Sequence, residues 1–187
     1  MPILRTSRLD SVADFRSPHV VLVGLPGAGK SVVGALLSAS LGRTFLDFDV
    51  QISRSERMSI SEIFARRGED YFRGLEHRLT VELGTLGNMV LAPGGGWASR
   101  PDTVALLRPP AQLVYLEVSP ATAIRRMGAS AETRPLLHHP RPEDELDRLL
   151  TDRRSAYESA DFVVDVETLT AKEVTGMILE LLASRAS

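Results

Sequence analysis

A chain of 187 residues, 43% apolar and 25% charged, has the makeup of an ordinary globular protein with one main core. A net charge of −2 gives no global pull toward nucleic acid or an anionic membrane, and the absence of cysteine excludes disulfides and thiolate chemistry. No run approaches 18 apolar residues, so no membrane span is expected, and a cytoplasmic location is the expectation.

The first 17 residues carry Arg5, Arg8 and Arg16 without a signal-type apolar stretch and read as a flexible extension, leaving 18–187 as a single domain. The apolar run Val20-Val21-Leu22-Val23 then leads into Gly24-Leu25-Pro26-Gly27-Ala28-Gly29-Lys30-Ser31. A buried strand, a glycine-rich loop and a helix start are the setting in which G-x-x-x-x-G-K-[ST] binds a nucleoside triphosphate. Backbone N–H groups of Gly27, Ala28 and Gly29 converge on anionic oxygens, aided by the positive end of the following helix. Lys30 reaches the β- and γ-phosphates and Ser31 ligates Mg²⁺. Only two of the 22 basic side chains are lysines, Lys30 and Lys172, which sets the loop lysine apart.

A helix is predicted from about Lys30 to Leu41, with Val33, Leu36 and Leu37 on its apolar face and Gly42 as its stop. Phe45 and Leu46 form a short strand that delivers Asp47 and Asp49 at its C-terminal end, where ligands sit in an open α/β sheet. This pair is either turn-forming and capping, or functional, with one carboxylate near Mg²⁺ through water and the other taking a proton from an attacking hydroxyl. Ser59-Ile60-Ser61-Glu62 carries the capping-box pattern for a helix through Ile63 and Phe64. Gly68 ends that helix, and another covers Glu69 to Leu83. On it Arg73 and Glu76 are three apart, the spacing of an ordinary surface ion pair.

Asn88 to Ala92 reads as a buried strand running into Pro93-Gly94-Gly95-Gly96. The triple glycine is either a flexible turn or a place where backbone must approach a ligand closely. Trp97 beside it packs over a site or fills the core. A helix near Thr103–Leu107, a strand at Leu113–Leu116 and a helix at Pro120–Arg126 follow. Gly128 to Pro142 has no periodicity and reads as a lid-type loop, spanning roughly 127–142, that holds Arg134, His138 and His139. A long polar helix over Glu143–Ser159 carries Arg153. Phe162–Val164 is a last strand and Ala171–Ala183 a terminal helix. Strands alternating with helices predict a three-layer α/β/α sandwich around about five parallel strands.

Taken in order, these pieces resemble shikimate kinase, a small P-loop family with the nucleoside monophosphate kinase-like fold. The resemblance spans about residues 18–185. It rests on the phosphate loop, Phe45-Leu46-Asp47-Phe48-Asp49, Ile60-Ser61-Glu62-Ile63-Phe64 and Gly68-Glu69. It continues through Phe72-Arg73 with Glu76, Gly94-Gly95-Gly96, Arg134-Pro135-Leu136-Leu137, and Arg153 with Tyr157. The loop specifies the superfamily, and the other motifs in this order specify the family.

The resemblance implies transfer of the ATP γ-phosphoryl group to the 3-hydroxyl of shikimate, on the way to aromatic amino acids, with Mg²⁺ as cofactor. It implies that Gly27, Ala28, Gly29, Lys30, Ser31 and Val32 hold ATP, with Arg126 stacked near the adenine and Arg134 closing over the phosphoryl group from a mobile lid. Ser31 and Asp47 organise Mg²⁺. Asp49 binds substrate hydroxyls and takes the proton, so Asp49, Lys30 and Arg134 form the catalytic set. Arg73 and Arg153 clamp the substrate carboxylate, Glu76 positions Arg73, Gly95 and Gly96 offer backbone contacts, and Ile60, Phe64 and Phe72 line the ring wall. Val32 and Ala35 depart from the family pattern, and the lid is slightly longer than usual. A monomer is expected, with no nucleic-acid or membrane partner. The rival readings are a kinase for another small hydroxy acid such as gluconate, on the same fold, and a non-catalytic ligand-sensing module.

Overall fold

The computed structural model describes residues 17–128 and 141–186. Five strands form one sheet: β1 (Val20–Val23), β2 (Thr44–Asp47), β3 (Met89–Ala92), β4 (Gln112–Glu117) and β5 (Phe162–Asp165). Their spatial order is β2-β3-β1-β4-β5 and every pairing is parallel, with Val21 opposite Leu91 on one side and Leu113 on the other. All residues of β1 and β3 are buried. Because successive strand residues face opposite ways, this requires helices on both faces. The expected three-layer architecture is what the chain adopts.

Eight α-helices occur among the described residues. α1 (Lys30–Leu41) packs on α8 (Ala171–Ala186), and α6 (Pro120–Met127) packs on α7 (Pro142–Glu158). α3 (Ile60–Arg67) opens with the full capping box, in which the Ser59 hydroxyl accepts from the Glu62 N–H and the Glu62 carboxylate accepts from the Ser59 N–H. α4 (Glu69–Leu83) follows directly after Gly68.

Several details differ from the sequence expectation. A helix not anticipated, α2 (Phe48–Glu56), begins where the second strand ends. It buries only Phe48 and Ile52, a one-turn stripe too short to register as periodicity. Leu36, expected in the core, is 40% exposed, and α1 buries Gly34 and Ser38 instead. A side chain at Gly34 would collide with the Phe45 ring, so α1 lies unusually close to β2. β3 starts one residue late, at Met89, because Asn88 takes a left-handed conformation with φ 59°. α5 (Pro101–Val104) starts and ends earlier than expected, with its proline in the first turn. The expected extension up to residue 16, and residues 129–140 of the expected lid with Arg134, His138 and His139, lie outside the described residues.

His19, 4% exposed just before β1, places Nε2 3.1 Å from the Leu83 carbonyl at the end of α4. Burial lowers its pKa below the ordinary imidazole value, more than its backbone hydrogen bonds raise it. A depressed folded-state pKa stabilises the fold above the unfolded value and loses that contribution as pH falls. Thermal stability is therefore expected to drop as pH passes downward from 7.5 to 5.5, below about 6.5. A melting-temperature series should show His19→Gln flattening this drop.

Candidate active site

Topology brings the chemistry to one end of the sheet. The loops after β1, β2 and β3 emerge side by side at the carboxyl ends of the strands, where the chain has crossed from one side of β1 to the other. Gly27, at φ 84°, sits so close to α6 that an added Cβ would lie inside contact distance of the Ala123 carbonyl. The phosphate-type loop is thus seated directly on α6. Lys30 folds back over the loop, its ammonium donating to the Gly24 and Leu25 carbonyls at 2.9 Å each.

Asp47 ends β2 and caps α2. Its Oδ1 accepts from the Val50 N–H at 3.2 Å, and its Oδ2 accepts from the Ser31 hydroxyl at 2.5 Å. The capping account and the functional account of this aspartate therefore describe two oxygens of one side chain. Asp49 lies in the first turn of α2, so the two carboxylates belong to a strand-to-helix junction and not to one face of a continued strand. Both line a cavity of about 360 Å³ together with the loop and Ala92–Gly95. The cavity is also lined by Arg126 and Met127 of α6, Val166 and Leu169 after β5, and Ala171 and Val174 of α8.

The triple glycine is demanded by what packs against it. A Cβ on Gly94 would lie 2.6 Å from the Glu76 carboxylate, with Asp49 Oδ1 at 3.6 Å; on Gly96 it would lie 2.7 Å from the Arg73 guanidinium. On Gly95 it would meet Arg153 Nη1 at 3.1 Å and Pro26 at 3.3 Å. Side chains here would push apart the charged groups that the fold collects. A second cavity of about 660 Å³ opens on this side, lined by Arg73, Gly96 and Arg153 with Glu69, Asp70 and Asp152, and with Arg100 and Arg148 at its edge.

Arg73 and Glu76 are not the surface pair that their spacing suggests. Glu76 is 1% exposed, and the contact is 2.6 Å, with Arg73 also reaching Glu69 at 2.7 Å. Burial pushes the Glu76 carboxyl up, and the Arg73 charge only partly pulls it back. For Arg73, burial works downward but the Glu76 and Glu69 carboxylates outweigh it, so the guanidinium is held firmly protonated. Glu76 Oε1 and Arg153 Nη1 are buried and have no hydrogen-bond partner among the described residues. Such atoms are costly unless something completes them.

Arg153 is 8% exposed, on the inward stripe of α7 that also carries Leu146, Leu149 and Tyr157. The Tyr157 hydroxyl donates to the Gly95 carbonyl at 2.5 Å, and its ring stacks on Tyr115. Trp97 is fully buried with Nε1 donating to Thr80 at 3.0 Å, which resolves its role as core.

Of the expected site residues, Gly27 to Val32, Asp47, Asp49, Gly95 and Arg126 line the first cavity, and Arg73, Gly96 and Arg153 line the second. Val32 is 60% exposed at the cavity mouth. Ile60, Phe64 and Phe72 line neither cavity; they pack on the core, with the Phe64 and Phe72 rings 5.0 Å apart and Arg73 over Phe72. Sequence reasoning missed the wall at Val166–Val174. Its position just beyond the C-terminal end of a strand was the available signal. Nothing local pointed to Arg100 or Arg148.

A family model described as shikimate kinase matches residues 26–183. A shikimate kinase of Moorella thermoacetica is 38% identical over 88% of this chain and 94% of its own length. One from Thermoanaerobacter pseudethanolicus is 33% identical over 87% of this chain and 94% of its own. The solved structure of a shikimate kinase from Acinetobacter baumannii in complex with shikimate superposes with a TM-score of 0.86 at 34% identity, covering 91% of this chain and 96% of that one.

Proposed function

The chain belongs to the shikimate kinase family, and from that premise we propose how its residues bind ATP and shikimate and transfer the phosphoryl group between them. The reaction is ATP-dependent phosphorylation of shikimate at its 3-hydroxyl, giving shikimate 3-phosphate and ADP.

In this reading the triphosphate lies along the first cavity. The loop N–H groups of Gly27, Ala28 and Gly29 and the Lys30 ammonium take the phosphates, with Val32 at the mouth. Lys30 exchanges its two carbonyl partners for phosphate oxygens. The nucleoside extends toward Arg126 and the apolar wall at Val166–Val174. Ser31 and Asp47 would hold Mg²⁺: one hydroxyl and one carboxylate, already in contact, are a sparse oxygen set that suits an ion keeping most of its waters and sharing the phosphates. When bound, the ion neutralises charge on the phosphate oxygens.

Shikimate occupies the second cavity. The observation that carries this reading is Arg153 Nη1, buried beside Gly95 and without a partner among the described residues, in a cavity that also presents Arg73. Two guanidinium groups, one with an unused donor, fit a carboxylate. Glu76 holds Arg73 in place from below. Gly95 and Gly96 offer backbone to the ring, and the packed cluster of Ile60, Phe64 and Phe72 supports that side of the site. Asp49 lines the first cavity beside Gly94, and in this reading it binds the attacking hydroxyl and accepts its proton. Arg134, outside the described residues, is proposed to close over the transferring group from a lid spanning about 127–142 and to stabilise its charge. The proposed catalytic unit is a monomer, within a single domain from residue 18. Its use of ATP suits a cytoplasmic enzyme. No helix of the described residues is long and apolar enough to cross a membrane.

A substrate panel tests the specificity. ADP formation is expected with shikimate, weakly or not at all with quinate, and not with gluconate. Turnover of gluconate at a matching rate would return the reading to a general hydroxy-acid kinase.

A further inference from the structure

Glu167 follows β5 and does not itself line either cavity, yet it is among the most heavily bonded carboxylates in the fold. Its Oε2 accepts from the Ser119 N–H at 2.8 Å, and its Oε1 accepts from the Ser119 hydroxyl at 2.9 Å and from the Thr122 hydroxyl. All three donors belong to the N-terminus of α6, a helix with no acidic residue in its own first turn. Glu167 therefore supplies, from another element, the negative charge that this helix end favours. The opposite end of α6 is tied to the same two-residue segment, because Arg126 donates to the Val166 carbonyl at 2.5 Å and to the Glu167 carbonyl at 3.4 Å. The Val166 N–H continues the sheet to the Glu117 carbonyl at 2.9 Å.

The segment Val166–Glu167 is thus laced to both ends of α6. Val166 and Arg126, joined by that hydrogen bond, both line the first cavity, and the middle of α6, at Ala123, is the surface on which Gly27 sits. We infer that Glu167 is a positioning residue for the nucleoside end of ATP: its carboxylate fixes the spacing between the α6 wall and the β5–α8 wall of the slot that receives the base. The inference rests on the assignment of ATP to this cavity. Three donated hydrogen bonds, the Ser119 N–H foremost, hold the Glu167 carboxyl down to about 2, so it stays ionised in any working buffer. Arg125, which donates to Thr122 at 2.9 Å, adds a cation on the α6 side.

The test separates the base from the phosphates. Inorganic tripolyphosphate can occupy the phosphate loop but has nothing to place in the base slot, whereas ADP uses both. In the full chain, Glu167→Ala is expected to raise the ATP KM and the ADP inhibition constant about tenfold, a loss of the size of one strong hydrogen bond. The tripolyphosphate inhibition constant, the shikimate KM and kcat should stay within about twofold of wild type. Glu167→Gln keeps an acceptor for Ser119 and should fall between, which also guards against poor folding of the alanine variant. Equal weakening of ADP and tripolyphosphate would overturn the inference by showing general damage to the loop, and so would no change in either. Failure of tripolyphosphate to compete with ATP in the wild type would overturn the cavity assignment and the inference together.

Discussion

Asp49→Asn is expected to lower kcat by ~10²–10⁴, the usual worth of a positioned general base, with the KM values for ATP and shikimate changing far less. The substitution keeps the size and shape of a side chain that lines the phosphate cavity beside Gly94, so binding surfaces survive. It keeps an oxygen that can accept a hydrogen bond from the substrate but removes the capacity to take a proton from the attacking hydroxyl. Steady-state kinetics on both substrates check this. A kcat within about threefold of wild type would mean that the hydroxyl loses its proton elsewhere and that Asp49 only orients it.

The second large effect is on the acceptor side. Arg153→Ala should raise the shikimate KM roughly 10–100-fold, the equivalent of ~1.5–3 kcal/mol for hydrogen bonds to a charged group, and leave the ATP KM nearly unchanged. Arg153 is a cleaner probe than Arg73. Removing Arg73 strands the Glu76 carboxylate, 1% exposed, without its ion-pair partner, and such a loss costs ~3–5 kcal/mol of folding stability. Arg153 has no ion-pair carboxylate among the described residues to leave behind, and its Nη1 has no hydrogen-bond partner among them. A proportional rise in both KM values would contradict the carboxylate clamp. Arg73→Ala should show the same substrate selectivity accompanied by a lower melting temperature.

Elements with punctuation of their own were legible in the sequence. α1 is bounded by Gly29 and Gly42, both left-handed, and α3 by its Ser59–Glu62 capping box. The phosphate loop carries its chemistry in consecutive residues, and its placement after a buried strand is what the fold shows. What escaped depends on contacts between distant segments. An i,i+3 Arg–Glu pair looks the same on an exposed helix and under a glycine loop; only the approach of Gly94 and Gly96 buries Arg73 and Glu76. For the same reason nothing in the triple glycine itself announced that it also makes room for Glu76, Arg153 and Arg73. α2 was invisible because its buried stripe is two residues long, and that wall of the nucleotide cavity because its apolar side chains, Val166 to Val174, look like any strand-to-helix connection.

The loop at Gly24–Ser31 establishes the phosphoryl donor, and the account stands or falls on the acceptor. The measurement that bears on it most directly is ADP release by the purified full chain with ATP and Mg²⁺, with and without shikimate, alongside identification of the phosphorylated product. The account predicts that ADP appears only when shikimate is present, one equivalent for each shikimate converted to its 3-phosphate. An ADP rate that is the same with and without shikimate, with no phosphorylated product, would contradict it.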